Sequence, residues 1–525
     1  VYELMDLLDL ISGLDLRVVG DAAGVRVCDI TEDSRTAVPG SLFIARPGLE
    51  ADGRRFVAAA VECGAVAVLS DTDGLELPGG VGGSRVVVLV SGDVPRDAAA
   101  LSERFYGRPS LGLDVVGVTG TNGKTSVTTM VRALLNAADV RCGLLGGVEV
   151  DDGREVAPAS MTTPPAVEVS RTLATMVESG CRAAAIEVSS HALDQKRADG
   201  LRFAVCVFTN ISGDHLDYHR TPEAYLAAKR RLFELLPPDG VRVLNADDPS
   251  SDAVGGSGGA TRTRWCSTKG DPRAAWTARV VSGDVGGMAL VLGTPLGEIG
   301  GSVRLVGAHN AMNVLQAVAA ADAVLERRGR SATERVAALR RGLGVLGPAR
   351  GRLELVSRDE DDLTVFVDFA HTDDALRSTL GSVRSAIGDR RLCVVFGCGG
   401  DRDATKRPRM GAVAAELADR VIITSDNPRR ESPGAIIDQI LAGIGVPARV
   451  PVEVHALRSE AVRAGVIGAE RGDVVVIAGK GHETEQITSD GAGNLVRSRF
   501  DDAAEARRAL RERRLRATPE GGVPA

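Results

Sequence analysis

The segment Gly117-Val118-Thr119-Gly120-Thr121-Asn122-Gly123-Lys124-Thr125-Ser126 gathers the groups that hold a nucleoside triphosphate. The apolar run Leu113 to Val118 precedes it, and Val127, Met130, Val131, Leu134 and Leu135 follow at helical spacing, so the order is strand, glycine loop, helix. In such a loop the backbone N–H groups and the positive end of the helix face the phosphates. Lys124 is placed to neutralise the outer phosphates, and the Thr125 hydroxyl suits Mg²⁺. Val118 stands where the strict P-loop pattern has Gly, so the loop is a variant and its surroundings must carry part of the argument.

Those surroundings are rich in polar strand ends. Ala183-Ala184-Ala185-Ile186-Glu187 reads as a buried strand ending in a carboxylate, followed at once by Val188-Ser189-Ser190-His191. A carboxylate there can hold Mg²⁺ or orient a group near the γ-phosphate. Asp214-His215-Leu216-Asp217-Tyr218-His219 has two histidines and two acids; zinc would need their four-residue spacing to lie on a helix, and Gly213 argues for a loop, so a hard-metal or substrate-positioning role is preferred. Further on, Phe396-Gly397-Cys398-Gly399-Gly400-Asp401-Arg402-Asp403, Lys406-Arg407-Pro408, Asp426-Asn427-Pro428-Arg429 and Gly479-Lys480-Gly481-His482-Glu483 are expected at one edge of a second parallel sheet. Guanidinium forks for carboxylates beside acids for ammonium groups suit a zwitterionic substrate.

The elements that must position these groups alternate. Residues 1–111 read as a small α/β domain, 112–345 as a central α/β unit with a parallel sheet, and 346–525 as a third α/β unit, with Ser250 to Arg264 a glycine- and serine-rich loop. In 525 residues there is ample apolar content for several cores. The net charge of -7 offers no footprint for nucleic acid, and no apolar run approaches the ~20 residues of a membrane helix. A cytoplasmic location is expected, with the eight scattered cysteines as buried thiols. Of the 63 basic residues only Lys124, Lys196, Lys229, Lys269, Lys406 and Lys480 are lysine. Where a generic cation suffices the chain uses Arg, so the surviving lysines are enriched for places needing a compact ammonium or a reactive amine.

Together these motifs resemble the Mur ligases of peptidoglycan synthesis. The resemblance runs through Asp33-Ser34-Arg35, Pro39-Gly40, Ala51-Asp52-Gly53, the glycine loop, Thr162-Thr163-Pro164, Glu187 to His191, Asp214 to Asp217, Ala228-Lys229, His309-Asn310 with Asn313, Gly351-Arg352-Leu353-Glu354, Asp368-Phe369-Ala370-His371 and the C-terminal motifs. It implies three α/β domains: an N-terminal one for a uridine nucleotide, a central P-loop ATPase and a C-terminal Rossmann-like domain for an incoming amino acid. It implies ATP as co-substrate, Mg²⁺ as cofactor, UDP-N-acetylmuramoyl-L-alanyl-D-glutamate and meso-diaminopimelate as substrates, and a monomer.

Carried over by motif, Ser34, Leu49, Glu50, Ala51, Thr162, Thr163, Ser189, Gln195 and Arg197 are expected on the UDP-muramoyl dipeptide. Gly120 to Ser126, Asn310, Arg352 and Asp368 are expected on ATP, and Arg402, Asp426, Asn427, Pro428, Arg429, Gly479 and Glu483 on diaminopimelate. Lys124, Glu187, His215 and Lys229 form the expected catalytic set, with Thr125, Glu187 and Lys229 toward metal. Lys229 is expected as a carbamate, N6-carboxylysine, which turns a cation into an anionic ligand. Glu32, Met161, Phe369 and Asp373 depart from the family pattern. The alternatives weighed are the same ligase adding L-lysine, a folylpolyglutamate-synthase-like ligase, and a catalytically silent nucleotide-binding regulator.

Overall fold

A computed structural model of the chain describes residues 4–48, 52–75, 77, 86–213, 215–255, 262–445 and 447–517. The chain divides into two compact units, residues 1–275 with 316–339, and residues 276–315 with 340–525. Both are mixed α/β structures built on parallel sheets. No helix among the described residues is long and apolar enough to cross a membrane.

The first unit holds two large sheets and a short two-stranded one, Met5–Asp6 with Arg26–Val27. A five-stranded sheet runs Leu16–Val19, Val87–Ser91, Ala67–Ser70, Ser41–Ile44, Asp29–Thr31, parallel except for the first pair. In the second sheet the order is Val156–Pro158, Glu149–Asp151, Cys142–Leu145, Ala183–Glu187, Asp114–Thr119, Val205–Phe208, Val241–Asn245, Arg262–Ser267, and the last six are parallel. Val205–Phe208 is apolar throughout and Ala183–Glu187 is apolar up to its terminal carboxylate, because helices cover both faces of a parallel sheet. Register then does the positioning: Glu187 lies opposite Val118 and Phe208 opposite Thr119, so the polar residues that follow each strand emerge at the edge where the glycine loop turns.

The second unit carries an antiparallel meander, Trp276–Asp284, Gly287–Thr294 and Gly297–Val303, and a six-stranded sheet. The latter runs Glu354–Leu355, Thr364–Asp368, Val474–Ala478, Leu392–Phe396, Arg420–Thr424, Val452–His455, all parallel except the first. Its valine- and isoleucine-rich strands are buried on both faces and end together, Asp368 opposite Ala478 and Phe396 opposite Ile423. An antiparallel ribbon, Glu485–Ser489 with Leu495–Arg499, follows the last central strand.

Two local expectations change. Leu216–His219 forms one helical turn, because Gly213 ends the preceding extended segment without preventing a turn three residues later. The Ser250 to Arg264 segment contains a helical turn, Ser251–Gly255, and a strand beginning at Arg262, so glycine content overstated the loop there. All eight cysteines are free; six are buried and Cys63 is exposed.

Candidate active site

The glycine loop of the first unit is held from outside. Gly120 has φ +150°, and a Cβ there would lie 1.8 Å from Thr209 Oγ1, so only glycine fits between the two strand ends. The Asn122 carbonyl accepts from Thr209 Oγ1 at 2.6 Å and from Asn210 Nδ2 at 3.1 Å, while Thr121 N donates to Asn210 O at 2.8 Å. Gly123, in a left-handed conformation, leads into the helix Lys124–Ala137. The Lys124 ammonium folds back onto the carbonyls of Thr121 at 2.8 Å and Gly120 at 3.1 Å.

Glu187 sits at the meeting point. Its buried carboxylate accepts from Thr125 Oγ1 at 3.0 Å and from Gly147 N at 3.0 Å, and its own carbonyl accepts from Thr163 Oγ1 at 2.8 Å. Thr163 Oγ1 in turn accepts from Ser189 N at 3.0 Å, which joins the Thr162-Thr163 segment to the strand end. Lys229 arrives from the helix Pro222–Glu234, whose N-terminus is capped by the Thr221 side chain and opened by Pro222. Tyr225 and Lys229 are one turn apart on the same buried face, so the ammonium lies 4.3 Å from the Tyr225 ring centroid and donates to Gly120 O at 2.6 Å. His215, at φ +55°, packs edge-on to His191 with ring centroids 4.9 Å apart.

Around Arg197 lies a second cluster. Arg197 donates to Thr163 O at 2.7 Å and to Gln195 Oε1 at 2.7 Å, and Gln195 Nε2 donates to Tyr218 Oη at 3.3 Å. Burial, then the Arg46 charge, lowers the Arg197 pKa from its ordinary value. Glu32, one of the departures, lies 4.0 Å from Arg46, and burial raises its carboxyl pKa against the pull of Arg46 and Arg197. Ser34 begins a short 3₁₀ turn capped by Asp33. Leu49, Glu50 and Ala51 lie outside the described residues, as does Asp214.

In the second unit the strand-end loops converge. Asn427 Nδ2 donates to Glu483 Oε2 at 2.8 Å, Asn427 Oδ1 accepts from Ile487 N at 3.0 Å, and Gln486 Nε2 donates to Asp426 O at 2.7 Å. Arg429, at φ +52°, donates to Gly400 O at 2.7 Å, which ties the Asp426 to Arg429 turn to the Gly399-Gly400 loop. Burial, then repulsion from Arg402, lowers the Arg429 pKa, and a Cβ on Gly399 would lie 3.1 Å from Arg429 Nη1 and 4.0 Å from Arg402 Cγ, so both side chains border the Gly399 loop. Gly479 has φ +113°, and a Cβ would come 2.8 Å from Asp426 Oδ2.

Asn310 and Asn313 pair in the first turn of the helix His309–Arg327, at 2.9 Å, and Asn310 Nδ2 donates to Val306 O at 2.8 Å. Arg352 lies over the Phe369 ring, 4.7 Å from its centroid. Asp368 accepts from Leu353 N at 2.7 Å, Ala370 N at 2.9 Å and Thr379 Oγ1 at 2.9 Å, so it organises the loop after its strand.

Two contributors escaped sequence reading, Arg458 and Gly147, and the role of a third, Arg407, changes. Arg407 is fully buried and holds Glu431, Gln439 and the Gly399 carbonyl, which lowers the Glu431 pKa through the Arg407 hydrogen bonds. Arg458 forms a buried pair with Asp502 at 2.7 Å and donates to Ala478 O at 2.9 Å, directly behind Gly479. Gly147 N on Glu187 is the other missed contributor. None had a local signal except Arg407, which sits beside Lys406 in a motif already noted.

A P-loop variant at the edge of a parallel sheet, in one chain with a second strand-end cluster of acids and guanidinium groups, is an arrangement suited to an ATP-dependent ligase of charged small molecules. Residues 118–321 match the model for the Mur ligase middle domain and residues 351–481 that for the Mur ligase, glutamate ligase domain. A relative from Chlorobaculum tepidum, UDP-N-acetylmuramoyl-L-alanyl-D-glutamate--2,6-diaminopimelate ligase, is 41% identical over 491 residues, 92% of this chain and 93% of its own length. A solved structure of a ligase of the same name is 30% identical, covers 98% of this chain and 100% of its own, and superposes with a TM-score of 0.67. At the level of fold alone, folylpolyglutamate synthase from Mycobacterium tuberculosis, solved with ADP and AMPPCP, aligns over 72% of this chain and 91% of its own at 21% identity and TM-score 0.56. The chain belongs to the Mur ligase family, and has its three-domain α/β fold and its ATP-dependent ligase class.

Proposed function

We propose that this ligase joins meso-2,6-diaminopimelate to the D-glutamyl γ-carboxylate of UDP-N-acetylmuramoyl-L-alanyl-D-glutamate, in peptidoglycan precursor synthesis. The observation that carries the reading is the cluster of Asp426, Asn427, Arg429 and Glu483 with Arg402 nearby, a donor and acceptor set for a zwitterion with an additional carboxylate. The names of relatives that match nearly the whole chain support it.

A carboxylate does not yield to an amine because oxide is a poor leaving group. Transfer of the γ-phosphoryl group of ATP gives an acyl phosphate and ADP; the amine then attacks the carbonyl carbon, the C–N bond forms, the C–O bond breaks, phosphate leaves and the nitrogen loses a proton. Positioning and charge neutralisation are what the protein contributes. In this reading Lys124 and the loop from Gly120 to Ser126 hold the phosphates, with Asn310, Arg352 and Asp368 toward the rest of the nucleotide. Thr125 Oγ1 and the Glu187 carboxylate are hard oxygen donors 3.0 Å apart, a set that fits Mg²⁺ completed by phosphate and water. Bound there, the ion would offset phosphate charge. Lys229, as a carbamate, would add anionic oxygens next to the loop, and His215 would help position the reacting groups. Ser34, Thr162, Thr163, Ser189, Gln195 and Arg197 would bind the UDP-muramoyl dipeptide, together with Leu49, Glu50 and Ala51.

The domains are assigned as 1–111 for the UDP-substrate, 112–345 for ATP and ligation, and 346–525 for the amino acid, in a cytoplasmic monomer. The test is phosphate release by the purified full-length chain. Release that requires ATP, the UDP-dipeptide and meso-diaminopimelate together is expected. Release without the UDP-dipeptide, or equal use of L-lysine or of a folate substrate, would overturn the assignment.

A further inference from the structure

Lys480 is one of six lysines in a chain that otherwise uses arginine, and its side chain is fully buried. A buried ammonium persists only where acceptors meet it. Here Nζ donates to Asn427 Oδ1 at 3.0 Å and to Glu483 Oε2 at 3.0 Å, and lies 3.9 Å from Asp426 Oδ1. Asn427 closes the triangle by donating its own Nδ2 to the same Glu483 oxygen at 2.8 Å. One carboxylate oxygen of Glu483 therefore takes two hydrogen bonds, while Oε1 meets no donor among the described residues and the side chain remains 38% exposed. Lys480 thus links the turn after the strand Arg420–Thr424 to the turn after the strand Val474–Ala478 through side chains alone.

We propose that Lys480 is a positioning residue for the incoming diamino acid. By holding Glu483 Oε2 and Asn427 Oδ1 from the buried side, it fixes the Glu483 rotamer with Oε1 presented to an amine of the substrate, and it keeps the Asp426 to Arg429 turn in register with that oxygen. A glutamate with three rotatable bonds would otherwise give up rotamer freedom on every binding event. The compact ammonium matters because it meets acceptors from three residues at one point, where the larger planar guanidinium would push the two turns apart. The proposal rests on the reading that Glu483 and Asn427 contact the amino acid.

The experiment compares wild type, Lys480→Met, Lys480→Gln, Glu483→Gln and the double variant Lys480→Met/Glu483→Gln as full chains. Steady-state KM is read for ATP, the UDP-dipeptide and meso-diaminopimelate, with thermal melting alongside. Lys480→Met should raise the KM for meso-diaminopimelate on the order of 10-fold or more while moving the other two KM values less than about twofold, and in the Glu483→Gln background it should add little, because residues that act through one another do not combine additively. An unchanged KM for the amino acid overturns the proposal. So does a parallel rise in all three KM values with a lowered Tm, or full multiplication of the two single effects; each marks Lys480 as a mere structural staple. Should Lys480→Met not fold, Lys480→Gln is held to the same criteria, and failure of both to fold overturns the positioning role. A wild type that ignores meso-diaminopimelate would instead defeat the underlying assignment, before any variant is compared.

Discussion

The chain buries two of its six lysines completely, and each meets a different kind of acceptor. Lys229 donates to a backbone carbonyl, Gly120 O, and lies over the face of Tyr225. Lys480 donates to the carboxylate of Glu483 and to the amide oxygen of Asn427. A carbonyl accepts from an amine or from the N–H that remains in a carbamate, though more weakly than from an ammonium, so the contact at Gly120 alone does not commit Lys229 to one chemical form, whereas its place over the Tyr225 ring favours the charged one. A carboxylate does commit its partner, because removing the positive charge would leave a partly buried anion without its counter-ion. The lesson is that a carboxylate partner fixes a lysine's charge more firmly than a carbonyl partner does.

The largest effect is expected at the loop that both Lys124 and Lys229 touch. Lys124→Ala should lower ligation on the order of 10³-fold or more while leaving the melting temperature near that of wild type, because a phosphate-neutralising charge is lost from a half-buried loop. Near-normal turnover in the soluble variant would break the phosphate side of the comparison.

Next comes Lys229→Ala, expected to be almost inactive and partly restored by a short-chain carboxylic acid that fills the carbamate's place. Activity of wild type should fall when CO₂ is stripped from the buffer and return on adding bicarbonate. Density for a bare ammonium together with CO₂-independent activity would erase the contrast between the two lysines. The same rescue attempted on Lys480→Met should fail, which sharpens it.

The smallest effect is on substrate choice. L-Lysine lacks the far carboxylate of meso-diaminopimelate, so a site with Arg429 and Arg402 bordering the Gly399 loop should discriminate by charge. Arg429→Ala or Arg402→Ala should each lose about 2–5 kcal/mol of that discrimination, measured as the ratio of kcat/KM for the two amino acids. An unchanged ratio in both variants would move the clamp elsewhere.

The glycine loop, its flanking strand and helix, and the parallel strands ending in Glu187, Asp426 and Gly479 were legible because each is a local pattern: an apolar run, a turn residue, then polar groups. What stayed hidden depends on contacts between distant positions. Arg458 finds Asp502 and Lys480 finds Asn427 only once strands have been ordered in a sheet, and no spacing rule announces either pair. The meander from Trp276 to Val303 was missed for another reason: glycines interrupt its strands, and only a few of its positions alternate cleanly between buried and exposed. The turn at Leu216–His219 shows the limit of reading glycine as a stop, since Gly213 bends the chain but leaves the following residues free to coil.

The ribbon Glu485–Ser489 with Leu495–Arg499 reaches the Asp426 to Arg429 turn largely through its backbone: Ile487 N serves Asn427 Oδ1 and Ile487 O accepts from Arg429 N. Peptide groups are the same in every residue but proline. Over generations most outward-facing side chains of this ribbon can therefore be exchanged, and the geometry around Arg429 is inherited as long as position 487 keeps its N–H and Gln486 its hold on Asp426 O.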